Sequence, residues 1–148
     1  VVVDADGKSI AAAAYACDPA DAQGDDEGRA WVAEHARWDY LSRERTPRLL
    51  RDRFWEAWVY AKKRGAVLVA DCAWPVEARF LAACVDDDAS RTWEGPYPLH
   101  ELASFMVAAD MNPMATYERL DDEPQHDPLG DAKQSARLLI QALGRLAK

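Results

Sequence analysis

Apolar residues at helical spacing define the longest predicted elements of the chain. One such stripe lies between Thr46 and Arg64 and consists of Leu50, Phe54, Trp58 and Ala61. A stripe of this kind buries one face of a helix. Thr46 is a natural N-cap, Pro47 suits the first helical position and Gly65 suits the end. The pattern therefore predicts a helix from Thr46 to Arg64.

The opposite face of this predicted helix is basic. It carries Arg48, Arg51, Lys62, Lys63 and Arg64, and Arg43 and Arg45 come just before it. Two interpretations remain open for these residues. They form either a solvated helix face or a surface that follows a phosphate backbone.

A second stripe near the carboxyl end consists of Leu138, Leu139, Ala142, Leu143 and Leu146. The helix that it predicts begins after His126. Asp127 can accept hydrogen bonds from free backbone N–H groups, and Pro128 needs no N–H donor at the first helical position.

Three shorter helices are predicted between these two long ones or before them. One starts at Pro75 and another runs from Pro98 to Ala109, with His100 on it. The third covers Trp31 to Tyr40 and ends in a turn, with Trp31 and Trp38 packed in the core or at its rim.

Short apolar runs predict the strands. The run from Ala66 to Ala70 indicates a buried strand, and Asp71 follows at its carboxyl end, where open α/β sheets place their sites. The runs Val1–Val3 and Lys8–Cys17 flank an Asp-Ala-Asp-Gly segment and predict a β-hairpin. A helix is the alternative for Ser9–Tyr15, because this part is rich in alanine, the best helix former. The polar stretch from Asp18 to Gly28 predicts a loop.

Composition narrows the class of protein. The chain has 148 residues, 49% hydrophobic and 30% charged, which is typical of a single globular domain. No run is long enough to span a membrane and no signal peptide is visible. The three cysteines form no CxxC motif, so we expect a reducing, cytoplasmic location. A net charge of −8 argues against non-specific polyanion binding, but it is compatible with a site for a hard cation.

Three motif-like patterns overlap the Asp-Ala-Asp-Gly segment. Gly7-Lys8-Ser9 lacks the upstream glycine of a P-loop, because Val2 stands there. Asp4-x-Asp6 begins like a calcium loop, but Lys8 occupies the third acidic position. The segment also resembles the start of haloacid-dehalogenase-like phosphatases, in which Asp4 would be the nucleophile and Asp6 the acid–base residue. This last interpretation remains an alternative.

The segments AVLVADCAWPVEARFL (Ala66–Leu81) and HDPLGDAKQSARLL (His126–Leu139) carry a resemblance to a known family. They resemble the DEDD-type 3′–5′ exonucleases, in the histidine subgroup of the ribonuclease H-like fold. The resemblance implies that His126 is the general base and that Asp131 is a metal ligand. It also implies Mg²⁺ or Mn²⁺ as cofactor, the 3′ end of a nucleic acid as partner, and a possible homodimer.

Two departures from the family pattern affect the predicted metal site. Glu77 stands where the family usually has Asp, and Asp71 is a further candidate ligand. The family's Asp-x-Glu strand has no equivalent except Asp4-x-Asp6, which lies between two apolar runs like a hairpin turn. We therefore expect the motif strand to lie upstream of Val1.

The fold expected for residues 1–148 is a single α/β domain with a ribonuclease H-like mixed sheet flanked by helices and lacking its first strand. The expected function is metal-dependent 3′–5′ exonuclease activity, weak or absent if the first acidic pair is missing. The alternatives are the phosphatase that uses Asp4 and Asp6, and a catalytically inactive binding or assembly module.

Overall fold

A computed structural model describes residues 1–21, 24–37 and 41–148. Within them the fold is mixed α/β, with five α-helices: α1 (Asp26–His35), α2 (Pro47–Lys62), α3 (Ala78–Asp87), α4 (Leu102–Ala108) and α5 (Pro128–Leu146). Short helical turns occupy Pro19–Asp21, Ala73–Glu77 and Ala89–Trp93. The strands are β1 (Val2–Val3), β2 (Ser9–Ala11), β3 (Tyr15–Ala16), β4 (Ser42–Arg43), β5 (Val69–Ala70) and β6 (His100–Glu101).

The strands pair two by two in the described part of the chain. β1 and β2 are antiparallel, whereas β3–β4 and β5–β6 are parallel. In the last pair Val69 lies beside His100 and Ala70 beside Glu101. The predicted α/β class is thus confirmed, while the ribonuclease H-like arrangement of a larger sheet stays a prediction.

The predicted hairpin at the start of the chain is confirmed. Asp4 Oδ1 accepts hydrogen bonds from the backbone N–H of Asp6 (3.1 Å) and of Lys8 (2.9 Å). Gly7 has φ of 82°, a conformation that glycine adopts without steric cost. The Asp4 carboxylate therefore builds the turn, and the second strand covers only Ser9–Ala11.

Helices α2 and α3 enclose an apolar core of Trp55, Trp58 and Cys84. The helix predicted from Thr46 is confirmed, because Thr46 Oγ1 accepts the Leu49 N–H (3.2 Å) and Gly65 follows the end with φ of 84°. Trp55 is buried although it lies outside the predicted stripe. Desolvation raises the pKa of the Cys84 thiol to about 11, so this cysteine is an unreactive core residue.

Several basic side chains on α2 or just after it contact the protein itself. Arg51 forms two hydrogen bonds with the Asp87 carboxylate (2.5 and 3.0 Å), and Arg48 donates to the Asp87 carbonyl (3.1 Å). The Arg64 guanidinium lies 3.5 Å from the centre of the Tyr60 ring. These contacts favour a structural role for the basic face over the phosphate-binding one.

Helices α4 and α5 enclose the second core, which consists of Leu102, Met106, Ala109, Met111, Leu138 and Ala142. Val69 of β5 packs against it. The buried part of the predicted α5 stripe is shorter than expected, because Leu143 and Leu146 near the end of the helix are 41% and 48% exposed. Among the described residues, no helix has both the length and the apolar character needed to cross a bilayer.

Three sequence-based boundaries were wrong. The helix predicted from Pro98 begins at Leu102, because His100 and Glu101 pair with β5 as a strand. The loop predicted up to Gly28 ends earlier, because Asp25 caps α1 by accepting the Gly28 N–H (2.7 Å). The helix predicted from Trp31 begins earlier, at Asp26, and ends at His35. Trp31 is 47% exposed, so it is not a core residue and rim packing is the part of its prediction that remains. The predictions for Trp38 and the turn up to Tyr40 lie outside the described residues.

Candidate functional site

The amino-terminal end of α5 is fixed by residues next to it in sequence. The buried Asp127 carboxylate accepts the Gly130 N–H through Oδ1 (2.6 Å), as an N-cap does, and Pro128 occupies the first turn. The Asp131 N–H donates to the Asp127 carbonyl (2.8 Å) and begins the helical hydrogen-bond series. The predicted cap is confirmed, with His126 immediately before the helix and Asp131 in its first turn.

Gly130 is required by a close contact between α5 and the preceding chain. A Cβ atom at this position would lie 2.4 Å from the carbonyl oxygen of Pro124 and 2.8 Å from its nitrogen. Both neighbours are backbone or ring atoms that cannot rotate away. Only glycine therefore allows Pro124 to pass so close to the helix, a role that the sequence analysis did not recognise.

Asp131 contacts a cationic side chain. Its Oδ1 lies 2.8 Å from Arg119 Nη2, and the side chain is 43% exposed. The pair is an electrostatic contact without the geometry of a hydrogen bond, so the buried Oδ1 atom has no hydrogen-bond donor in the described structure. Arg119 also donates through Nη1 to the carbonyls of Glu123 and Pro124 (3.1 Å each). Asp131 thus belongs to a contact between α5 and residues 117–124.

A buried ion pair holds residues 117–124 against α5. Glu123 is 2% exposed, and Arg137 donates to both of its carboxylate oxygens at 2.7 Å. Arg137 also donates to the Glu118 carbonyl (2.7 Å). The hydrogen bonds from Arg137 lower the pKa of Glu123, with further help from the Leu120 N–H. We call Arg137, Glu123, Arg119 and Asp131 the polar clamp.

His126 adopts an unusual backbone conformation and is surrounded by aromatic rings. Its φ is 59°, in the left-handed region that L-residues rarely occupy. Its ring centre lies 5.0 Å from that of Trp31 and 6.0 Å from that of His35, both at nearly perpendicular angles. The Arg37 N–H donates to the His126 carbonyl (3.1 Å). The segment that carries His126 is therefore held by the end of α1 and by Arg37, which lies two residues beyond that helix.

The proton on neutral His35 can be assigned from its environment. His35 Nδ1 lies 2.8 Å from the carbonyl oxygen of Trp31. Because a carbonyl oxygen only accepts hydrogen bonds, Nδ1 carries the proton and Nε2 keeps the lone pair. His35 is a second imidazole near His126 that the sequence analysis missed, and no local sequence pattern joins the two.

The other predicted ligands lie on different elements. Asp71 is exposed directly after β5, and Glu77 is partly buried directly before α3, where its side chain makes no capping hydrogen bond. In the helical turn before α3, the Ala73 N–H donates a hydrogen bond to Glu101 Oε1 of β6 (3.0 Å).

Carboxylates have the right chemistry for Mg²⁺ or Mn²⁺. Within residues 1–21, 24–37 and 41–148, however, no three His, Cys, Asp or Glu side chains are grouped to hold a metal ion. The described structure therefore shows no preformed metal site at Asp131, Glu77, Asp71 and the neighbouring His126. The assignment of Asp131, Glu77 and Asp71 as metal ligands stays a prediction.

Asp4 and Asp6 differ in their surroundings. Asp4 accepts hydrogen bonds from two backbone N–H groups, so it has a structural role in the hairpin turn. This role accounts for Asp4 without a nucleophilic function. Asp6 lines a cleft of about 320 Å³ between the hairpin and α5, together with Lys133 and Arg137.

Comparison with protein-family models, curated proteins and solved structures gave no match of any of the three kinds. The segment from His126 to Asp131 places an imidazole and a carboxylate close together in sequence at the start of α5.

Proposed function

We propose that the chain is a metal-dependent 3′–5′ exonuclease domain that hydrolyses phosphodiester bonds at the 3′ end of DNA or RNA. The observation that carries the proposal is the segment from His126 to Asp131. Its sequence resembles the last motif of the DEDD-type exonucleases. The Asp127 cap and the Pro124–Gly130 contact give it one fixed backbone shape.

In this proposal His126 takes a proton from the attacking water, which is the role of a general base. His126 is partly exposed, so a water molecule can reach this residue. Asp131 is the proposed ligand of Mg²⁺ or Mn²⁺, with Glu77 and Asp71 as further candidates. Two-metal hydrolysis needs several carboxylates around cations about 3.5–4 Å apart. We therefore expect weak activity from these 148 residues.

The test is hydrolysis of a 5′-labelled single-stranded oligonucleotide, as RNA and as DNA, with Mg²⁺ or Mn²⁺. We expect slow shortening from the 3′ end. His126→Ala should lower the rate by about 100-fold, because a general base contributes on that scale. Asp131→Asn should abolish metal-dependent activity. Asp86→Asn, which changes an exposed aspartate on α3, is the matched control.

Unchanged activity in both His126→Ala and Asp131→Asn would contradict the proposal. Activity that is strong and insensitive to both Asp4→Ala and Asp6→Ala, but lost in Asp131→Ala, would show that the site is complete without an Asp-x-Glu pair. Formation of an aspartyl-phosphate on Asp4 would instead support the phosphatase alternative.

One observation favours a second candidate, a binding or assembly module without catalysis. Arg119 already neutralises Asp131 at 2.8 Å, as a structural ion pair would. Calorimetric titration with Mn²⁺ separates the two candidates. Heat of binding that disappears in Asp131→Asn supports the enzyme, whereas no binding by the unaltered protein supports the module.

A further inference from the structure

The rings of Trp31, His35 and His126 form one contiguous cluster. Trp31 and His35 stack nearly parallel, with centres 4.5 Å apart and an angle of 11°. His126 meets both of them edge to face, at 88° and 81° respectively. Perpendicular ring contacts at these distances are favourable and depend on orientation.

Helix α1 presents two stacked rings to His126. Trp31 and His35 are separated by one helical turn, so their side chains lie on the same face of α1. The hydrogen bond between His35 Nδ1 and the Trp31 carbonyl fixes the His35 ring against that face. His126 therefore meets a prearranged surface, not two independently moving side chains.

The backbone of His126 needs such support. A residue other than glycine with φ of 59° is destabilised relative to ordinary conformations, because its Cβ lies too close to the following carbonyl oxygen. The Arg37 N–H to His126 carbonyl bond and the two ring contacts are interactions outside α5 that offset this cost. Together they restrict both the backbone and the side chain of His126.

We propose that Trp31 and His35 are positioning residues that hold the His126 imidazole in one orientation. The catalytic consequence rests on the proposed function, in which His126 is the general base, whereas the orientation itself does not. An exonuclease reaction with a misplaced base loses rate in the chemical step and not in substrate binding. The ring cluster thus assigns α1 a part in the reaction that its sequence does not indicate.

The experiment combines NMR of the histidine rings with steady-state hydrolysis. The chain has three histidines, and His100 beside Phe105 serves as the internal reference. In Trp31→Leu we expect the ring signals of His126 and His35 to shift and those of His100 to stay in place. In Trp31→Phe, which keeps an aromatic ring, the His126 signals should stay close to their original positions.

Hydrolysis should follow the same order. Trp31→Leu should lower kcat by roughly tenfold to a hundredfold with little change in KM. Trp31→Phe should recover most of the rate. Trp93→Leu, at a tryptophan that is 91% exposed, should change neither the ring signals nor the rate. Far-UV circular dichroism checks that each variant is folded.

The outcomes separate the two proposals. His126 ring signals that do not move in Trp31→Leu would overturn the positioning role, whatever the activity. Shifted signals with an unchanged kcat would also overturn it, since the contact would then have no effect on the reaction. Shifted signals in a chain that hydrolyses no oligonucleotide would confirm the ring contact and reject the exonuclease.

Discussion

The contact between α2 and α3 and the contact between α5 and residues 117–124 use opposite chemistry. The first has tryptophan and cysteine side chains at its centre, and its Arg51–Asp87 pair is only partly exposed at the margin. The second has an ion pair at its centre, because Glu123 is 2% exposed beneath Arg137.

The difference shows what each chemistry can fix. Apolar burial is not directional, so it holds two helices that already have regular shapes. Charged hydrogen bonds are directional, and they specify a segment that has no helix or strand to define it. The polar clamp therefore determines the shape of residues 117–124, and with it the place where Pro124 meets Gly130.

The largest expected effect is at the centre of the apolar contact. Trp58→Ala removes a buried ring and the hydrogen bond from Trp58 Nε1 to the Glu94 carbonyl (2.9 Å). Loss of this packing should lower the free energy of unfolding by about 4 kcal/mol. Urea unfolding at 25 °C measures the change. Trp93→Ala is the control, and a similar loss there would show that burial is not the cause.

The polar contact should be nearly as sensitive. Glu123→Ala leaves Arg137 without its carboxylate partner, and removal of one member of a buried pair costs about 3 kcal/mol. The same urea experiment tests this. Glu118→Ala alters an exposed side chain in the same segment and should change stability by less than about 0.5 kcal/mol. Equal effects would mean that the clamp does not govern the segment.

Two glycines of α5 sharpen the comparison because they should respond with opposite signs. Gly130→Ala forces a Cβ against the Pro124 backbone and should cost about 2 kcal/mol through overpacking. Gly144→Ala meets nothing within 4 Å and should stabilise the helix by up to about 1 kcal/mol. Thermal unfolding followed by circular dichroism measures both. If both variants were destabilised, the cause would be a general sensitivity of α5 to substitution and not the contact between Gly130 and Pro124.

The smallest effect is the acid dependence of the polar clamp. The pKa of Glu123 is lowered in the folded state, chiefly by Arg137. Ionised Glu123 therefore stabilises the fold at pH values above 4.5, the ordinary pKa of this side chain. This contribution is lost as the pH falls through the lowered pKa. Unfolding free energies of the unaltered protein and Glu123→Gln should therefore converge below about pH 4.5. A constant difference between pH 7 and pH 3 would contradict this.

Features that depend on neighbouring residues could be predicted from the sequence. Thr46 and Asp127 cap helices through groups three residues away, so the starts of α2 and α5 were correct. The hairpin was also correct, because Asp4 and Gly7 form its turn locally.

Features that depend on distant partners could not be predicted. His100 is in a strand only because β5 lies beside it, and α4 therefore starts later than its apolar pattern indicates. The partner of Asp131 is Arg119 and that of His126 is Trp31, and neither partner carries a local signature. For the candidate site, the sequence could therefore identify the base and the carboxylate but not what surrounds them.

The contact between α5 and residues 117–124 also has a consequence for the order of folding. Lys133, Gln134 and Arg137 donate to the carbonyls of Asp122, Tyr117 and Glu118. These donors share one side of α5 only after the helix has formed. We therefore expect residues 117–124 to consolidate late, so that substitutions there raise the unfolding rate more than they slow folding.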